Sequence, residues 1–119
     1  IITLLESTQA KFDLNQLEFQ INYLRWLALA RHQVLYLRPL SVEGDWQQGW
    51  QVSDIHHVLW QKKPYQFIKI RVKWHGFEHN PPLVFYPDLF KNHLNGYFDG
   101  KGYRLWINRL GHTRLAYDI

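Results

Sequence analysis

With 119 residues, 46% of them hydrophobic, the chain can fill one core and not two. It has no cysteine, which excludes disulfide frameworks and thiolate metal sites, and no apolar run approaches the roughly 18 residues of a membrane span. Fourteen Lys and Arg against ten Asp and Glu leave a formal charge of +4, which suits an acidic or phosphate-bearing partner and equally an ordinary soluble domain.

The chain opens on Ile1 with no initiator methionine, which points to processing or to a piece of something longer, and no signal-peptide pattern follows. Residues Ile1 to Glu6 read either as a short strand or as the first turn of a helix. From Asp13 the pattern is helical: Leu14, Leu17, Ile21, Leu24 and Ala28 recur at spacings of three and four and form one apolar stripe. Asp13 with Gln16 resembles a capping box, so the predicted helix runs from about Asp13 to His32. Phe19, Tyr23 and Trp26 lie off that stripe, so the helix is apolar on more than one face and is expected to be sandwiched or docked on a partner.

Val34 to Leu40 has strand composition, with Pro39 at its end. The segment SVEGDWQQGW is turn-rich, yet it carries Trp46 and Trp50, which are large for a loop. Gln51 to Gln61 fits a short helix or a strand. Tyr65 to Phe77 is the longest period-two run in the chain: Ile68, Ile70, Val72 and Trp74 alternate with Phe67, Lys69, Arg71, Lys73 and His75, predicting a strand with an aliphatic and a basic face. Leu83 to Tyr86 reads as another strand. Asp88 to Leu94 has helical spacing, while Asn95-Gly96 fits a hairpin turn. The tail predicts two strands joined near Leu110 to His112, with a turn upstream at Asp99-Gly100. Together these elements make an α+β fold, an N-terminal helix packed on a small antiparallel β-sheet or partly open barrel. A single domain is expected over 1–119, helical in its first part (1–40) and β-rich over 44–119.

Six Trp, seven Tyr and seven Phe are a high aromatic load, which fits a β-rich core, base stacking or an interface alike. Trp50 precedes Ile55 by five residues, and Lys73-Trp74-His75-Gly76-Phe77 follows as a basic-Trp-x-Gly-aromatic run. On these residues the segment from about 50 to 98 resembles a chromodomain. The resemblance implies a curled three-stranded sheet with a C-terminal helix, and a methyllysine cage walled by Trp50, Trp74 and Phe77. A cage of this kind holds a methylated ammonium against ring faces. Leu83-Val84-Phe85-Tyr86-Pro87 stands where that family has Thr-Trp-Glu-Pro, so the acidic group beside the cage is missing.

Two further constellations compete with the cage. Lys69, Arg71, Lys73 and His75 beside Phe67, with Arg104, Arg109 and Arg114 in the tail, form a basic and aromatic face suited to nucleic acid. Asp88, Asp99 and Lys101 resemble a PD-(D/E)xK nuclease, in which two acids hold a divalent metal, and Glu18 would supply an upstream acid. The histidines include adjacent His56 and His57 and the pair His75 and His79, but no set of three or four converging ligands is evident, and no cofactor or metal is expected. The favoured reading is a non-enzymatic binding module, a methyllysine reader. The location is expected to be intracellular, and nuclear if the chromodomain resemblance holds; the partner would be a protein or peptide, with nucleic acid as an alternative and no membrane. The other readings are the nucleic-acid-binding domain, the nuclease, and a structural subunit docked through the aromatic helix.

Overall fold

The computed structural model describes residues 3–77 and 80–117. Helix α1 spans Leu4–Arg31. It starts well before Asp13, because the capping box is Thr3 with Glu6: the Thr3 hydroxyl accepts from the Glu6 amide at 3.1 Å and the Glu6 carboxylate accepts from the Thr3 amide at 3.3 Å. Asp13 is instead a buried residue in mid-helix. The C-terminus closes at His32, in the left-handed conformation (φ 50°), whose amide donates to the Ala28 carbonyl. The expected stripe of Leu14, Leu17, Ile21, Leu24 and Ala28 is fully buried.

Among the described residues, eight strands form two antiparallel sheets rather than one. The first contains β1 (Leu35–Pro39), β2 (Trp50–Ser53), β3 (Val58–Lys62) and β5 (Leu83–Phe85), in the order β3-β2-β1-β5. The second contains β4 (Lys73–Gly76), β6 (Gly96–Gly100), β7 (Tyr103–Ile107) and β8 (Thr113–Tyr117), in the order β4-β6-β7-β8. The ambiguous stretch Gln51 to Gln61 resolves as strand, most of β2 and β3 with a bulge at Val52 and Ser53. Alternate residues of each sheet point inward: Leu35, Leu37, Trp50, Val52, Leu83 and Phe85 from the first, Phe98, Leu105 and Ile107 from the second. With the α1 stripe they form one buried cluster. At its centre Phe98 meets the edge of Trp46 at 4.9 Å and the tilted ring of Trp74 at 4.8 Å. The two loop tryptophans are therefore core residues, both fully buried.

The Tyr65 to Phe77 run keeps its alternation but not its ladder. Ile70 and Val72 are buried while Lys69, Arg71, Lys73 and His75 are exposed, yet only Lys73–Gly76 pairs with another strand. Its backbone finds other partners. The Phe67 amide donates to Gln9 Oε1 at 3.0 Å, the Val72 amide donates to Gln47 Oε1 at 2.8 Å, and the Val72 carbonyl accepts from the Trp46 amide at 2.9 Å. Side chains and a 3-10 turn (Trp46–Gln48) thus do the work that a neighbouring strand would otherwise do.

Two turn expectations also change. Asn95-Gly96 is not a hairpin, because Gly96 opens β6; a Cβ there would stand 2.5 Å from the His75 carbonyl and 2.6 Å from the Trp74 ring. The glycine serves close strand approach. Asp88 to Leu94 holds only a 3-10 turn (Leu89–Lys91), and the β6-β7 hairpin turns at Lys101 and Gly102, with φ of 29° and 91°, rather than at Asp99-Gly100. The α+β expectation of a helix on antiparallel sheet stands.

Candidate interaction surfaces

The three residues of the expected cage do not converge. Trp50 is buried on β2 of the first sheet, where its Nε1 donates to Gln20 Oε1 at 3.3 Å. Trp74 lies on β4 of the second sheet and faces inward onto Phe98, whereas Phe77 is 61% exposed and packs against Tyr97 on the opposite face. A methylated ammonium has no pocket among them.

The basic stripe is likewise divided. Lys69 and Arg71 belong to the unladdered segment, and Arg71 donates to Oδ1 of the buried Asp45 at 3.3 Å. Lys73, His75 and Arg104 do share the outer face of the second sheet. There, however, the Tyr97 ring is stacked by His75 at 4.8 Å, met by Trp106 at 4.7 Å and covered by the Arg104 guanidinium at 4.8 Å. Its faces are already occupied, so it offers no platform for a base, and the nucleic-acid reading is set aside.

The acidic residues of the nuclease pattern are apart in role. Asp88 caps the 3-10 turn, its Oδ1 accepting from the Phe90 amide at 3.1 Å, and lies in no strand. Asp99 sits on β6 opposite Lys73 and Arg104. Lys101 reaches the Glu6 carboxylate at 3.6 Å, and Glu18 is a half-buried residue of α1. Among the described residues no three His, Asp or Glu side chains group as metal ligands. His56 and His57 follow Asp54, whose carboxylate accepts from both of their amides and is held below the ordinary carboxylate range mainly by those bonds. His79 lies outside the described residues.

What the structure does assemble is a second apolar face on α1. Leu5, Phe12, Phe19 and Trp26 recur every seventh residue and are 58%, 42%, 74% and 60% exposed. In an α-helix a seven-residue repeat drifts only about 20° per heptad, so these four side chains form one nearly straight row about 30 Å long. Tyr23 joins it, 6.5 Å from the Phe19 ring and 6.0 Å from Trp26. The row is legible in part from the sequence: Phe19, Tyr23 and Trp26 stand off the buried stripe, whereas Leu5 and Phe12 lie upstream of Asp13, outside the predicted helix.

Beside this row, Phe19, Tyr23 and Trp60 wall a groove of about 570 Å³ whose rim carries Lys62 and Lys63. Gln20 holds it in shape. Its Oε1 accepts from the Nε1 of Trp60 at 3.2 Å as well as from Trp50, which fixes the Trp60 indole against Tyr23, 5.9 Å away. A buried amide answering two indoles ties the first sheet to the helix.

No family model and no curated protein matches the chain. Among solved structures it is similar to the type IV minor pilin FimU of Pseudomonas aeruginosa strain PAO1, seen in two crystal forms. The P21 form superposes with a TM-score of 0.69 over 96% of this chain and 92% of that chain at 15% identity. The P65 form gives 0.63 over 89% and 91%, also at 15% identity. A shared arrangement of nearly the whole chain replaces the chromodomain resemblance, which covered only residues 50–98. With that resemblance go the methyllysine-reader function, the aromatic cage and the intracellular, nuclear location. The fold is that of a pilin-like helix on antiparallel sheets.

Proposed function

We propose that the chain is a structural subunit of a pilin-type assembly, at the cell surface or outside the cell, and that it packs against neighbouring subunits through the outer face of α1. The 119 residues act as one folded unit in this reading, the helical part carrying the contact and the β-rich part holding the helix. The observation that carries it is the exposed row of Leu5, Phe12, Phe19 and Trp26 on a helix whose other side is already committed to the core. Apolar groups at every seventh position are the pattern by which one helix seats another. Fully burying an apolar side chain of this size is worth about 1.5–3 kcal/mol, and a partner can add the share of it that each residue still exposes. Among the described residues no helix is long and apolar enough to cross a membrane.

The likeness in fold to a minor pilin supports this class of assembly, and the exposed helix row supports the contact. Surface filaments sheared from cells that make this protein, probed with an antibody against it, test both. The chain is expected in the sheared fraction, and the double substitution Phe19→Ser with Trp26→Ser is expected to remove it while the purified variant keeps its thermal midpoint within a few degrees. Absence of the unaltered chain from the fraction, or undiminished incorporation of the variant, overturns the reading.

A further inference from the structure

The second sheet packs its inner face against α1 through β6, β7 and β8, and its outer face carries a different chemistry. Register aligns His75, Tyr97, Trp106 and Arg114 in one row across the four strands. The adjacent row runs Lys73, Asp99, Arg104. Phe77, just beyond β4 and two residues after His75, lies on the same face beside the first row and rests 6.0 Å from Tyr97. We propose that this outer face of the β4-β6-β7-β8 sheet docks an acidic segment of a partner protein. The docking lies on the far side of the sheet from α1, goes beyond the helix-mediated assembly and does not depend on it.

Two properties of the face point to this occupant. Tyr, Trp and Arg clustered at a centre are the residue types that carry binding energy at protein interfaces, because they present large area with little conformational freedom to lose. Here that freedom is already reduced. Arg104 lies 4.8 Å from the Tyr97 centroid and 5.8 Å from that of Trp106, and it reaches Asp99 at 3.9 Å, so its guanidinium is held in place before a partner arrives. Charge then selects the partner. Among the described residues of the two rows, Lys73 and Arg114 stand as exposed cations on either side of the Asp99-Arg104 pair. Carboxylates of an incoming segment would meet the ammonium of Lys73 and the planar fork of Arg114, with an apolar side chain set against Phe77 and Trp106. A base or sugar ring is disfavoured because Tyr97 is already engaged by His75, Trp106 and Arg104.

The test is a titration of the ¹⁵N-labelled full chain with a synthetic octapeptide of alternating Asp or Glu with Phe and Leu. A peptide carrying Lys in place of every acid and an oligothymidylate serve as comparisons. The acidic peptide is expected to saturate, with shift changes confined to β4, β6, β7 and β8. Arg114→Glu is expected to weaken it by about tenfold or more, and Lys62→Glu, on the helix groove, by less than twofold. Circular dichroism of each variant establishes that the fold is kept. Failure to saturate, shifts centred on α1 or the first sheet, equal binding of the basic peptide, tighter binding of the oligothymidylate, or an unchanged affinity for Arg114→Glu each overturns the proposal. The Phe19 and Trp26 substitutions leave this titration untouched, so loss of filament incorporation and loss of peptide binding are separate failures.

Discussion

Asp13 shows how single polar side chains hold this molecule together and at what cost. It is fully buried, one of its oxygens accepts from Gln9 Nε2 at 2.8 Å, and the other has no partner within hydrogen-bonding distance among the described residues. Burial pushes its carboxyl up from 3.8 to about 6, and the side-chain amides of Gln9 and Gln66 oppose that shift only in part. Because the folded state then binds the proton more tightly than the unfolded chain, the Asp13 contribution to stability is greatest below about pH 4. It falls as pH rises to about 6 and is flat beyond, an effect of up to about 3 kcal/mol. Asp13→Asn keeps the acceptor and removes the charge. Urea denaturation should therefore find the variant gaining on the unaltered chain between pH 4 and 6 and remaining more stable at pH 7.5; a difference independent of pH would contradict the account. Gly96 is the converse case, a position where nothing can be added. Gly96→Ala is expected to lower stability by about 1–3 kcal/mol, read from the denaturation midpoint, because its Cβ meets a backbone carbonyl that has no room to retreat.

At the scale of elements, the segment from Tyr65 to Val72 carries the clearest lesson about what was legible. Its alternation correctly told which side chains face the core, since burial of Ile70 and Val72 follows from apolarity alone. Hydrogen-bond partners do not follow from apolarity. The amides of Phe67 and Val72 are answered by Gln9 and Gln47, residues far away in sequence whose chemistry announces nothing in particular. Gln47→Ala should accordingly speed amide exchange in the segment around Val72 by about tenfold or more while leaving β7 protected, an expectation that exchange mass spectrometry can check. Helix α1 is legible on its inner face for the same reason as the segment, but its Thr3-Glu6 cap has the same spacing in the sequence as Asp13-Gln16, and spacing alone does not choose between them.

The whole molecule was the hardest to read. Strand composition could forecast antiparallel sheet under a helix, but the division into β3-β2-β1-β5 and β4-β6-β7-β8 depends on which strands meet across long loops. That pairing separates Trp50 from Trp74 and turns Phe77 away from both, so a short signature around WHGF matched without the geometry that gives it meaning. The same architecture presents two independent outward faces, the aromatic row of α1 and the cationic face of the second sheet, on opposite sides of one core. Burial of the helix row by neighbouring subunits is the central claim, and the absence of cysteine allows it to be measured directly. Single substitutions Phe19→Cys and Val42→Cys, the latter at a fully exposed turn residue, give two thiols whose maleimide labelling rates can be compared in the isolated chain and in assembled filaments. The account expects the two to label alike in isolation, with position 19 slowed at least about tenfold on assembly by burial in the helix interface while position 42 is unaffected. Equal labelling of position 19 in both states would contradict it.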